Sequence, residues 1–242
     1  MAARVLVVFD LDDTLYLERD FAVSGFRAVG EWLALERSID GFADVCIGLF
    51  DEGGRGNIFD RAFERLGLAA DAALVKALVA IYRGHEPAIS LAQDSARYLA
   101  SREREEPLAL ITDGPAATQG AKVRALGLES VIDRIVLTGA LGPGFGKPHP
   151  RAYELVEEWA APFALPLAYV ADNPLKDFVT PRARGWLTVQ IKRPERVHKV
   201  DAPSDGHRPH GVIRSLDELD ARLEELMETH RAPARLHRAT SS

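Results

Sequence analysis

Four short stretches carry side chains suited to handling a phosphoryl group. The first, Asp10-Leu11-Asp12-Asp13-Thr14, follows an apolar run at residues 5–9. Two carboxylates two residues apart, just past a strand, can divide the labour. Asp10 suits attack on phosphorus, and Asp12 suits protonation of the leaving oxygen followed by activation of water. A solvated turn in which Asp13 caps a neighbouring segment fits the same residues, and this stretch alone leaves both readings open. The second, Thr112-Asp113-Gly114, sets a hydroxyl before backbone amides at the start of a helix, a natural phosphate cradle. Simple helix capping by Thr112 or Asp113 is the commoner use of such residues. The charge of Asp113 would repel phosphate, so its side chain is expected to turn away while its amide contributes. The third, Gly146-Lys147-Pro148, is not a P-loop, because Pro148 stands where that motif requires Ser or Thr. Lys147 can still neutralise a phosphate and its attacking carboxylate; the bland reading is an exposed surface lysine. The fourth is Asp172-Asn173-Pro174-Leu175-Lys176-Asp177. Magnesium takes hard oxygen ligands and keeps several waters, so it needs only one or two carboxylates from the protein, and Asp10 and Asp172 suit. Asp177 and Asn173 are expected just outside that set, with Asp177 holding a bound water or Lys147. Capping of a helix by Asp172 or Asn173 is the alternative.

Short apolar runs precede these stretches. Residues 5–9, 108–111, 135–137, 167–170 and 187–191 lack period-two alternation, as expected of strands covered on both faces. Helical patterns separate the last four: one after Pro115 that ends near Gly127, one over 151–161, and one after Pro174 stopped by Gly185. Alternating strand and helix predict an α/β fold, an open parallel sheet covered by helices. Ligands of such sheets bind beyond the carboxyl ends of the strands, where all four stretches fall.

About ninety residues between the first two strands read as helical instead, too long for an ordinary crossover. Phe26, Val29, Trp32 and Leu33 recur at helical spacing, as do Phe59, Ala62, Phe63 and Leu66, and then Ala73, Ala77, Leu78 and Ile81. The expected organisation is a catalytic core at residues 1–16 and 88–230, a helical cap at 17–87, and a frayed polar tail at 231–242. Ser215-Leu-Asp-Glu218 has the capping-box pattern of a last helix.

Of the 242 residues, thirty are basic and thirty-six acidic, giving a net charge of −6 without a basic cluster, so nucleic acid is not an expected partner. No apolar run is long enough to cross a bilayer, and Asp10 interrupts the only amino-terminal one, so neither a membrane anchor nor a secretory signal is expected. Cys46 is the only cysteine; with no intrachain disulfide to form, a cytoplasmic location is expected. Oligomeric state is left open.

The ordered set Asp10-Leu-Asp12-Asp13-Thr-Leu, Thr112-Asp-Gly, Lys147-Pro and Asp172-Asn-Pro-Leu-Lys-Asp177 resembles the haloacid-dehalogenase superfamily, specifically its phosphatase branch with a helical cap inserted after the first strand. The resemblance covers residues 5 to about 192. It implies a Rossmann-like three-layer parallel sheet of strand order 5-4-1-2-3. Asp10 becomes the nucleophile and Asp12 the general acid/base. Asp10, the backbone carbonyl of Asp12, and Asp172 become ligands of Mg2+. Thr112 and Lys147, with amides near Leu11, Asp113 and Gly114, become the phosphate site. The implied activity is magnesium-dependent hydrolysis of a small phosphorylated metabolite: a sugar phosphate, a nucleoside monophosphate or a phosphoglycolate-like acid. Ala171, Asp113 and His149 depart from frequent family residues, but none removes a reacting group.

The cap is expected to set specificity. Arg55 and Asn57, in the loop Gly53-Gly54-Arg55-Gly56-Asn57, are candidate substrate contacts, as are Tyr16 and Glu18 at the entry to the cap. Two rival readings stand beside the phosphatase. A metal-independent haloacid dehalogenase would not keep a second aspartate at position 12. A catalytically silent binding protein on the same fold would not need the full reacting set.

Overall fold

Strand β1 (Leu6–Phe9) is buried along its whole length, which explains the unbroken run of apolar residues in its sequence. In the computed structural model, which describes residues 4–101 and 107–236, it pairs in parallel on one side with β2 (Leu108–Thr112) and on the other with β4 (Leu167–Ala171). β3 (Arg134–Leu137) extends the sheet beyond β2, and β5 (Leu187–Ile191) extends it beyond β4. A short β6 (Gly211–Ile213) adds a sixth parallel strand, so the order is β3-β2-β1-β4-β5-β6. The five expected strands lie in the expected sequence across the sheet; the sixth is an addition. The chain runs outward from β1 through β2 to β3, then crosses back to β4 on the other side of β1, so the carboxyl ends of β1 and β4 lie at a switch point, where an open sheet forms its crevice.

Helices cover both faces. After β2 comes α6 (Ala116–Ala125), after β3 α7 (Arg151–Ala160), and after β4 the short α8 (Val179–Ala183). On one face Leu6, Val8, Ile111, Val136, Tyr153, Val156, Tyr169, Phe178 and Trp186 form a continuous buried cluster. Full burial of each large apolar side chain contributes roughly 1.5–3 kcal/mol, so this layer fixes the strand ends firmly. Ser215 and Glu218 form the expected capping box, which leads into α9 (Leu219–Leu236). The tail reading is corrected in part: the helix continues through Pro233 to Leu236, and residues 237–242 lie outside the described ones.

The chain divides into two units, residues 1–17 with 91–242, and residues 18–90. Within the second, α1 (Glu18–Arg37), α2 (Phe42–Asp51), α3 (Ile58–Arg65) and α4 (Ala72–Gly84) pack around Phe26, Phe42, Phe50, Phe59, Phe63 and Tyr82. The inward stripe of α4 centres on buried Leu78 with half-buried Leu74 and Ile81; Ala73 and Ala77 face outward instead. The chain returns to the sheet through α5 (Gln93–Ser101). Among the described residues no helix is long and apolar enough to cross a membrane.

Candidate active site

β1, β2 and β4 each end in a side chain expected to react or bind, and the sheet brings these ends together. Asp10, Asp172 and Asp177 each offer a carboxylate oxygen, and these atoms all lie within 4.8 Å of one another. Lys147 reaches the same spot from the loop after β3. Its Nζ donates to Asp10 Oδ1 at 2.8 Å and to the Tyr169 hydroxyl at 3.0 Å. It also lies 2.8 Å from Asp177 Oδ1, an ion contact out of hydrogen-bond alignment. The bland reading of an exposed lysine is thereby excluded, since the side chain is wholly buried. Asp177 Oδ2 accepts the Asn173 amide at 3.0 Å, and the Asn173 side chain accepts the Leu175 amide at 3.0 Å. Asn173 thus holds the loop, and Asp177 holds Lys147.

The electrostatics follow from three buried carboxylates around the Lys147 ammonium, with Lys176, itself paired to Asp113, a second and weaker cation on Asp10. Burial raises the Asp10 carboxyl to about 6; Lys147 opposes that rise and Asp177 adds to it. At Asp172 burial, then the charges of Asp10, Asp177 and Asp13, push the carboxyl up to about 9, and the opposing charge of Lys147 is the weakest of these influences. For Lys147 burial works against the charge, but Asp10 and Asp177 outweigh it and hold the ammonium well above its ordinary value. Besides Asp177 Oδ1, which faces the Lys147 ammonium, two buried oxygens here, Thr112 Oγ1 and Asp172 Oδ2, have no hydrogen-bond partner. Buried polar atoms in native proteins are almost always satisfied, so each is suited to a group from outside the chain. The surplus of negative charge and the hard oxygen donors fit a cation of the Mg2+ type.

Asp12 sits apart from this cluster and is held by three donors. The Tyr16 hydroxyl and Lys122 Nζ, the latter at 2.6 Å, donate to Oδ1; Gln119 Nε2 donates to Oδ2 at 3.0 Å. Against the upward push of burial, the charge of Lys122 and these three bonds hold the Asp12 carboxyl below its ordinary value. The site also rests on its supporting loops. Asp13 adopts a positive φ of 53° and accepts the Val197 amide at 2.5 Å. Arg193 donates to the Thr14 carbonyl and pairs with Asp94 at 2.9 Å, so the turn after β1 is braced from the loop after β5.

Asp113 behaves as expected of a charge that phosphate would avoid. Its carboxylate turns toward Thr138 Oγ1 at 2.8 Å, the Lys147 amide at 3.0 Å and Lys176 Nζ at 3.1 Å. Gly114 has φ +127°, and Gly139 packs so tightly on it that a Cβ would fall 2.2 Å from the Gly114 carbonyl oxygen. Leu11 is fully buried between the two aspartates of the first motif.

The cap candidates fare differently. Tyr16 is fully buried, with its hydroxyl on Asp12, so its place is beside the acid/base candidate rather than in a substrate surface. Arg55 stacks 3.9 Å over the Phe50 ring and donates to the Phe50 and Gly54 carbonyls, so its guanidinium is engaged by its own loop. Asn57 is exposed and precedes α3 without a side-chain capping bond, and Glu18 opens α1. Gln119, Lys122, Lys176 and Arg193 were not among the sequence candidates. A signal for two of them exists: Gln119, Lys122, Val123 and Leu126 share the spacing of one helix face, so its first half places polar groups where apolar ones are expected.

A family model described as haloacid dehalogenase-like hydrolase matches residues 5–158. Among solved structures, a 2-haloacid dehalogenase from Pseudomonas syringae pv. Tomato DC3000 is 23% identical, with a TM-score of 0.61 over 92% of this chain and 99% of that one. A HAD family hydrolase from Deinococcus radiodurans R1 with bound phosphate and sodium is 19% identical, with a TM-score of 0.63 over 93% and 97%. The HAD-hydrolase YfnB from Bacillus subtilis, bound to magnesium, is 20% identical, with a TM-score of 0.61 over 90% and 97%. At these identities the likeness shows the fold. No curated protein matches the chain.

Proposed function

The chain belongs to the haloacid dehalogenase-like hydrolases, and from that premise we propose that it hydrolyses small phosphomonoesters with Mg2+, through a phosphoryl group carried on Asp10. The observation that carries this reading is the buried Asp10, Asp172 and Asp177 cluster, whose negative charge a single Lys147 does not balance. A dehalogenation needing no cation would leave Asp172 buried with Oδ2 unsatisfied, at a cost of about 1–3 kcal/mol or protonated in compensation.

In the proposed reaction an Asp10 oxygen bonds to phosphorus as the bond from phosphorus to the leaving oxygen breaks. Asp12, whose three donors favour the carboxylate, takes up a proton from the monoanionic ester or from solvent and gives it to that oxygen, releasing the alcohol. Asp12, now a carboxylate, takes a proton from water as the water bonds to phosphorus, and the bond from phosphorus to Asp10 breaks. Inorganic phosphate departs and Asp10 is restored. The transferring group carries negative charge on its equatorial oxygens. Lys147, the Thr112 hydroxyl and the amides near Leu11, Asp113 and Gly114 are the chain's groups for stabilising it. Mg2+, held by Asp10, Asp172 and the Asp12 backbone carbonyl, would supply positive charge to the phosphoryl oxygens. Asp177 keeps Lys147 in place.

Sugar phosphates, nucleoside monophosphates and phosphoglycolate-like acids are the substrate classes we propose, with Glu18 and Asn57 as remaining cap contacts to test. A cytoplasmic location goes with this reading and with the single, buried Cys46. The test is a panel of these phosphates assayed with Mg2+ and with chelator, alongside 2-chloro acids. Phosphate release that requires Mg2+ supports the proposal; chloride release indifferent to chelator overturns it.

A further inference from the structure

We propose that Lys122, with Gln119 and Tyr16, positions the Asp12 carboxylate for its proton transfers, an inference that rests on the acid/base role just assigned to Asp12. Lys122 and Gln119 stand one turn apart on α6, 5% and 4% exposed, and reach the same carboxylate, one oxygen each. Tyr16 reaches the same Oδ1 as Lys122, from four residues along the turn after β1, and is fully buried. An aspartate side chain turns about two torsions, and a single hydrogen bond leaves it freedom in both. Here Oδ1 takes two donors and Oδ2 a third, from two separate segments, so the plane of the carboxylate and its direction are both fixed.

The arrangement also ties Asp12 to the phosphate cradle. Gln119 Nε2 donates to the Asp113 carbonyl as well as to Asp12, so one side chain sets the spacing between the acid/base residue and the Thr112-Asp113-Gly114 loop. A helix that needed only to pack on the sheet would present apolar groups at these positions. A buried ammonium is costly unless paired, and the carboxylate at 2.6 Å supplies that pairing. Lys122 also lies 5.8 Å from the centroid of the Tyr16 ring, so these two donors are in register with each other.

A positioning role and a merely structural one differ in their dependence on the leaving group. An alkyl phosphate needs a proton on its departing oxygen, whereas 4-nitrophenyl phosphate does not. The variants are Lys122→Met, Gln119→Leu and Tyr16→Phe, each compared with wild type in kcat/KM on both esters with saturating Mg2+, and in melting temperature. General acid catalysis is worth about 100-fold or more. Lys122→Met is therefore expected to lose about 100-fold on the alkyl ester and far less on the aryl ester, with KM little changed. The other two should shift the ratio in the same direction by less. Equal losses on both esters, or none on either, in variants that melt near wild type would overturn the proposal. If Lys122→Met does not fold, the ratio measured with the other two decides. Wild-type protein inert on every phosphate ester would remove the phosphatase reading itself, an outcome distinct from equal losses in the variants.

Discussion

The Lys147 ammonium lies 2.8 Å from Asp10 Oδ1, although 137 residues separate the two in sequence. The contact joins the end of β1 to the loop after β3, and it places the one buried cation of the cluster on the carboxylate assigned as nucleophile. An anionic nucleophile meeting an anionic phosphate requires this kind of compensation.

Asp10→Asn should therefore abolish turnover rather than raise KM, because the neutral amide cannot form the bond to phosphorus. Lys147→Met should lower kcat by about 100-fold or more, through loss of charge stabilisation in the transition state. It also leaves Asp10 and Asp177 buried without their cation. Steady-state kinetics separates the two effects on kcat and KM; unchanged kcat in either variant would contradict the assignment.

In the cation-free protein, stability should fall as pH rises. Asp10 and Asp172 are raised by burial to about 6 and about 9. A group whose carboxyl is raised on folding favours the folded state below its unfolded value near 4, and that contribution is lost as pH climbs through the folded value. Melting temperature in chelator should thus decline from pH 5 toward pH 9. Asp172→Asn should melt higher and flatten the decline, and Mg2+ should stabilise wild type more strongly at pH 9 than at pH 6, since binding must displace these protons. Thermal melts across that range, with and without Mg2+, provide the check; a flat chelator profile would refute the coupling.

Arg193→Ala should destabilise the fold by about 3 kcal/mol, the usual scale for removing one partner of a buried charge pair. Arg193 is 6% exposed and serves Asp94, Ser95 and the Thr14 carbonyl at once. Because Thr14 belongs to the turn that carries Asp12, kcat should fall as well, even at temperatures where the variant is fully folded. Denaturant unfolding gives the first quantity and kinetics the second; full activity would show that the brace does not reach the site.

Gly139→Ala should cost about 1–3 kcal/mol, the range for overpacking. The added methyl would meet the Gly114 carbonyl oxygen at 2.2 Å, which is backbone and can yield only by moving the phosphate cradle. Phosphate affinity, measured by competitive inhibition, should weaken along with stability. Wild-type affinity in a destabilised variant would separate packing from function.

Much of the fold is legible in the sequence because its signals are local. Strands such as β1 and β2 are continuous apolar runs, and each is followed at once by the polar group it positions. β6 escaped because three residues, with Val212 half-exposed between buried Gly211 and Ile213, leave no run to detect. The helix through Pro233 was missed because a proline in a polar stretch ordinarily marks an end. In the site, the residues assigned to react stand out because they follow apolar runs. Their supports do not: Gln119 and Lys122 meet Asp12 across 107 and 110 residues, and only the folded chain shows which carboxylate a lysine on a helix answers. Arg55 was attractive on the sequence because its glycine neighbours suggested an open loop. The ring of Phe50, five residues earlier, takes up its charge instead.

The most direct test is a single turnover in 18O-enriched water on the best phosphate ester of the panel, followed by mass analysis of both the released phosphate and the peptide containing Asp10. Water attacking phosphorus places the label in phosphate and leaves Asp10 unlabelled, which is the predicted result. Label in the Asp10 carboxyl would mean that water attacks the carbonyl carbon of the intermediate, and the phosphoryl-transfer account would be wrong.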